Sequence, residues 1–122
     1  MIRKTRQRTA IADVIKAAGR PLTPQEMLNG ARDDLPSLGI ATVYRTVNAL
    51  LGEGLIRAVN IPGQAARYEL ADLAHHHHFF CKACERVFDI EGCVLRSELK
   101  LPEGFKVEGH EITLVGICPS CR

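Results

Sequence analysis

The chain has 122 residues and a formal net charge of +2, with 46% apolar, 25% charged and 5% aromatic residues. That apolar content excludes a disordered chain. The length allows one domain or two very small ones, and halves of about 60 to 70 residues usually need a metal, disulfides or a partner chain to hold a core. No apolar run approaches a membrane span, and the basic start MIRKTRQR leads into IADVIKAAG, too mixed for a signal-peptide core, so a cytoplasmic protein with no membrane partner is expected.

The modest net charge hides an asymmetry. Residues 1–20 hold Arg3, Lys4, Arg6, Arg8, Lys16 and Arg20 against Asp13 alone, a basic arm ahead of a mildly acidic remainder. Residues 5–19 read as a helix with Ile11, Val14, Ile15 and Ala18 on one face and Gly19 as its stop. Thr23-Pro24-Gln25-Glu26 has the form of a capping box, starting a second helix that runs to about Arg32. After Pro36-Ser37-Leu38-Gly39, the apolar stripe Val43, Val47, Leu50, Leu51 predicts a third helix ending at Gly52 and Gly54, with Thr42, Tyr44, Arg45 and Asn48 on other faces. Two strand-like runs follow, Leu55–Asn60 and Ala66–Leu70, joined by the turn Ile61-Pro62-Gly63-Gln64-Ala65.

Three helices and a two-stranded ribbon are the order of a winged helix-turn-helix, in which the third helix enters the major groove of duplex DNA. Residues 71–74 read as a hinge. Beyond it short strands are expected at His75–Cys81, Val87–Ile90, Phe105–His110 and Ile112–Ile117, with a helix near Val94–Lys100. The predicted class is α+β, with a winged helix over 1–70 and a small α/β domain over 75–122.

Five cysteines include the pairs Cys81-Lys-Ala-Cys84 and Cys118-Pro-Ser-Cys121. Zinc takes four tetrahedral ligands and each Cys-x-x-Cys turn presents two thiolates, so Cys81, Cys84, Cys118 and Cys121 make a closed site stapling a small core. Redox pairs are the alternative, although the strand-then-helix context of a redox Cys-x-x-Cys is missing. His75-His76-His77-His78, if extended, turns alternate imidazoles to opposite faces, His75 and His77 to one metal and His76 and His78 to another. An exposed histidine-rich loop is the plainer reading. Taken alone, His110 reads as an ordinary half-buried histidine and Cys93 as a small buried apolar residue. Arg3, Lys4, Arg6 and Arg8 in the arm, with Thr42, Tyr44 and Arg45 on the third helix, are the candidate DNA contacts; a solvated helix face is the other reading.

Gly39-Ile40-Ala41-Thr42-Val43-Tyr44-Arg45-Thr46-Val47, then His75-His76-His77-His78-Phe79-Phe80-Cys81-Lys82-Ala83-Cys84, then Cys118-Pro119-Ser120-Cys121 resemble the ferric uptake regulator family of bacterial repressors over nearly the whole chain. The resemblance implies a homodimer with winged helices on double-stranded operator DNA, a C-terminal dimerisation domain and a metal corepressor. It maps the structural zinc onto Cys81, Cys84, Cys118 and Cys121, and the regulatory metal onto Glu69, His76, His78 and Asp89. A further ligand expected from the DNA-binding half falls near Pro21, which has no ligating side chain. A second metal site maps onto His75, His77, Cys93 and His110, and three nitrogens with one sulfur suit zinc. Family members sense iron, zinc, manganese, nickel or peroxide. The thiolate favours zinc as the regulatory metal and zinc uptake as the regulated process, with an iron-, manganese- or peroxide-sensing repressor, holding Fe2+ or Mn2+, as the alternative. No hydrolytic motif is present, so no enzyme is expected. The competing classes are a zinc-dependent enzyme with an open coordination position and a zinc-stapled protein-interaction module.

Overall fold

The computed structural model describes residues 2–93 and 100–122, with 2–4 as backbone only. Helix α1 spans Ile2–Ala18, α2 Pro24–Ala31 and α3 Ile40–Gly52. Strands β1 (Ile56–Val59) and β2 (Arg67–Leu70) form the ribbon; β3 (His76–Cys81), β4 (Val87–Glu91) and β5 (Thr113–Gly116) form a second sheet before a 3-10 turn at Pro119–Cys121.

Helix α1 starts earlier than its periodicity predicts and stops at Gly19, whose φ of +62° costs little without a Cβ. The capping box forms: Glu26 N–H donates to Thr23 Oγ1 at 3.2 Å and Thr23 N–H to Glu26 Oε1 at 3.0 Å. One core is built from Ile11 and Ile15, Met27, Leu28 and Ala31, and Val43, Val47 and Leu50, closed by Leu22, Leu38 and Ile56. Each full burial of such a side chain contributes roughly 1.5–3 kcal/mol, so the apolar stripe of α3 is held inward and Tyr44, Arg45 and Asn48 are left outward. Helices α1 and α2 approach closely at Gly30, where a Cβ would meet Val14 Cγ1 at 2.7 Å.

The ribbon is antiparallel, with Arg57 opposite Glu69 and Ala58 opposite Tyr68. Leu22 exchanges two backbone hydrogen bonds with Tyr68, which fastens the turn before α2 to the ribbon. In the second sheet β3 is central, antiparallel to β4 and parallel to β5. The strand expected over Phe105–His110 does not form; this stretch is exposed coil. The sheet ends at β4 and β5, and the stretch pairs with neither outer edge nor with any other strand among the described residues. The helix expected near Val94–Lys100 falls on residues 94–99, outside the described ones.

A second, smaller cluster joins Val59 and Ile61 of the ribbon side to Phe80 and Val87 of the sheet. Buried Arg67 spans the same junction, donating to the carbonyl of Ala65 at 3.2 Å and that of Glu85 at 2.5 Å. Its guanidinium also lies over the Phe80 ring. No helix among the described residues is long and apolar enough to cross a membrane.

Candidate metal centres and the outward helix face

Three groups of ligand atoms converge, each within 4.8 Å, and each is one of the sets expected from the sequence. The first is Cys81, Cys84, Cys118 and Cys121. The Cys-x-x-Cys at the end of β3 curls because Glu85 N–H returns to the carbonyl of Cys81 at 2.7 Å and Cys81 N–H reaches that of Arg86 at 3.0 Å. Glu85 takes φ +62° to make this turn, a conformation rare for a residue with a side chain. Cys84 Sγ and Cys118 Sγ lie 3.8 Å apart, the edge of about 3.8 Å that a tetrahedron with Zn–S bonds of about 2.3 Å requires. The backbone N–H groups of Cys84 and Cys118 point at Cys81 Sγ and bring its thiol down to about 6, while Arg86 Nε, 3.3 Å from Cys84 Sγ, lowers that thiol too. Cys121 moves the other way, to about 12, through its hydrogen bond to Cys118 and burial. The protein therefore favours some but not all of the four thiolates, and a cation is what lets the remaining charge form.

The second set combines the ribbon with β3 and β4. Glu69 Oε1 lies 3.0 Å from Nε2 of both His76 and His78, and Asp89 Oδ1 lies 3.5 and 3.6 Å from the same nitrogens. His76 Nδ1–H donates to the carbonyl of Ala74 at 2.7 Å, which fixes the tautomer and leaves the Nε2 lone pair facing the carboxylates. A lone pair facing a carboxylate oxygen at hydrogen-bond distance is repulsive unless a proton or a cation lies between them. Asp89 Oδ1 is buried and has no hydrogen-bond partner. Burial pushes the Glu69 carboxyl up, but where protons rather than a cation fill that gap, hydrogen bonds from His78, Arg57 and His76 outweigh it and hold the group at about 2. Asp89 rises instead, through burial and the neighbouring Glu69 charge. Two imidazoles and two carboxylates, one with an orphaned oxygen, fit a divalent cation of borderline or hard character.

The third set lies across the pleat. His75 Nε2 is 3.2 Å from His77 Nε2, and Cys93 Sγ is 3.1 Å from His77 Nε2 and 3.2 Å from His110 Nε2. Tetrahedral zinc would put its nitrogens about 3.3 Å apart, so these contacts are near coordination distances. His77 is buried, and both its burial and the charges of His75 and His110 lower its pKa, keeping the imidazole neutral as a ligand must be. A cavity of about 370 Å³ between ribbon and sheet is lined by Arg57, Glu69, His75, His77 and His110. Pro21 is fully buried and belongs to none of the three sets.

On the outward face of α3, Tyr44 is 53% exposed, and Arg45 donates to Thr42 Oγ1 at 3.0 Å. In the arm, Arg6 is exposed, while Arg8 is paired with Glu53 just past the end of α3. The side chains of Arg3 and Lys4 lie outside what is described. The charged neighbours Arg57, Arg67 and Arg86 are not singled out by sequence alone. For Arg57 a signal exists, since counting back across the turn of the ribbon places it opposite Glu69.

The family model for the ferric uptake regulator family matches residues 1–115. The chain is 30% identical over 126 residues to the ferric uptake regulation protein of Campylobacter jejuni, covering 99% of this chain and 80% of that protein. The fold is similar to that of the Helicobacter pylori ferric uptake regulator, described as having three functional metal binding sites (TM-score 0.71, 24% identity, 95% and 79% of the two chains). It is also similar to that of FurB from M. tuberculosis, a zinc uptake regulator (TM-score 0.54, 27% identity, 99% and 96%).

Proposed function

The chain belongs to the ferric uptake regulator family of metal-responsive transcriptional regulators, and from that premise we propose that it is a dimeric repressor whose grip on operator DNA is set by zinc. In this reading residues 1–70 bind DNA, 75–122 hold the dimer and the metals, and 71–74 are the hinge. The single observation that carries it is the joining of ribbon to sheet in one ligand set, Glu69 from β2 with His76, His78 and Asp89 from β3 and β4.

Metal in this set supplies a charge that two carboxylates and two imidazoles can share. Glu69 can reach it only when the ribbon is seated against β3, so the seated arrangement is the one the ligands favour. The population of DNA-competent dimers rises accordingly, and by reciprocity DNA tightens the metal site. Arg6 supplies phosphate contact, while Thr42, Tyr44 and Arg45 face the groove. Cys81, Cys84, Cys118 and Cys121 keep a structural zinc. His75, His77, Cys93 and His110 form a further site, and its thiolate is the reason zinc is favoured as the sensed metal over iron or manganese.

The test is elemental analysis after exhaustive chelation, followed by titration with zinc and, anaerobically, ferrous iron, with binding to a duplex selected from a random library read in parallel. The reading expects about one zinc per chain to be retained and reversible zinc to tighten DNA binding. Saturating metal that leaves duplex affinity unchanged would overturn it, and a reversible site that prefers iron would reassign the sensed metal.

A further inference from the structure

The ligand sets leave one cation of the ribbon without a role. Arg57 on β1 and Glu69 on β2 are cross-strand partners, and Arg57 Nε donates to Glu69 Oε2 at 2.7 Å. The other oxygen of the same carboxylate, Oε1, is the one facing His76 and His78 at 3.0 Å. One carboxylate is thus shared between a guanidinium on its outer side and the metal position on its inner side. The two side chains differ in setting: that of Glu69 is 2% exposed and that of Arg57 44%. The hydrogen bond from Arg57 to the carboxylate runs through Nε, which leaves the two Nη groups at the half-exposed end of the side chain.

We propose that Arg57 is the counter-ion Glu69 keeps until a divalent cation takes the carboxylate, and that the released guanidinium then serves as a phosphate ligand on the wing. The inference rests on Glu69, His76, His78 and Asp89 being the regulatory site. Its basis is a charge count. With neutral imidazoles, Glu69 and Asp89 present −2 to Arg57 and hold it. A dication cancels that charge to zero, which removes the net pull, and sets a double positive charge across one carboxylate from Arg57, at about 6 Å. Even in a water-like dielectric, a single and a double positive charge at that separation oppose each other by a factor of about ten in binding. Arg57 therefore weakens metal binding while it stays, and leaves Glu69 as the metal binds. Its stem on β1 is already half in solvent, on the ribbon that flanks α3, and a freed guanidinium there finds its next anion in the DNA backbone.

The experiment compares Arg57, Arg57→Gln and Arg57→Lys in the full chain carrying His75→Ala, Cys93→Ser and His110→Ala, which leaves only His77 of the third set and so one reversible metal set. Zinc affinity is measured without DNA, and affinity for a duplex selected by the zinc-loaded parent is measured over a salt series. Arg57→Gln is expected to bind zinc about tenfold more tightly. It should also bind the duplex more weakly when loaded, with a salt slope shallower by about 0.9 for each phosphate the wing no longer neutralises. Arg57→Lys, which keeps the charge, should restore the salt slope. Weaker zinc binding by Arg57→Gln would overturn the inference, because Arg57 would then be orienting Glu69 rather than competing for it. An unchanged salt slope would overturn it as well. Failure of the proposed function is distinguishable: the control with Arg57 intact would itself show no gain in duplex affinity on zinc binding.

Discussion

Replacing Cys118 by serine tests whether the sheet depends on its sulfur cluster. Among the described residues the N-terminal core has eleven buried side chains, whereas the cluster around the sheet has four, two of them lent by the ribbon side. At roughly 1.5–3 kcal/mol each, those four give about 6–12 kcal/mol at most, before any cost of ordering the chain. A structural zinc in a four-thiolate site is linked to folding by about 10–16 kcal/mol, as much as the apolar cluster or more. Cys118→Ser keeps the volume of a buried position, 2% exposed, and removes one ligand. Hydrogen exchange read by mass spectrometry on zinc-stripped protein should show residues 76–91 and 113–121 losing protection. A local loss of only about 4 kcal/mol already speeds exchange about a thousandfold. Residues 43–50 of α3 should keep theirs. Protection over β3 and β4 equal to that of the zinc-loaded parent would refute the reasoning, since the small cluster would then suffice.

Arg45→Ala should weaken binding to the selected duplex with zinc content unchanged, because Arg45 is exposed and its contact is Thr42 on its own helix; loss of zinc as well would make it a support of the fold. Cys93→Ser should lower zinc affinity at the His75, His77, His110 set by about tenfold or more while leaving the four-cysteine zinc in place, as titration with a competing chelator would show. Thr23→Ala should cost about 1 kcal/mol in urea unfolding of the N-terminal half. The same cap carries a pH signature. Burial pushes the Glu26 carboxyl up, but the Thr23 N–H and Arg20 outweigh it and hold the group below its ordinary value. Its stabilising contribution is therefore complete above the unfolded pKa of about 4.5 and is lost as pH falls through the lower folded value. Glu26→Gln should flatten that acid limb of the unfolding curve, and an unchanged limb would assign it to other carboxyls.

The helices are legible in the sequence because each carries both a period and punctuation: the Val43, Val47, Leu50 stripe, the Thr23-Glu26 box and Gly19 all act within a few residues. The alternation in His75–His78 is legible for the same reason, since the side-chain period of a strand is local. The Phe105–His110 stretch misleads because its apolar residues look like a strand, while a strand also needs a ladder partner, and this stretch pairs with none of the described residues. The partners of the metal ligands are hidden for a related reason. Arg86 beside Cys84 and Arg57 beside Glu69 are ordinary surface-type residues, and their roles exist only once the turn and the ribbon register bring them to an acceptor.

The four consecutive histidines, His75 just before β3 and the other three within it, have a consequence for how the chain finds its pairing. A slip of one residue turns every side chain of a strand to the opposite face, yet within a run of identical residues such a slip still presents imidazoles on both sides. The tract therefore carries little information about its own alignment. That information comes from the two phenylalanines after it: Phe80 is buried in the junction between sheet and ribbon, and Phe79 passes over Gly116, where a Cβ would come within 3.0 Å of the Phe79 ring. A Cβ at position 116 would thus press on the ring that helps set the alignment while meeting no metal ligand within 4 Å.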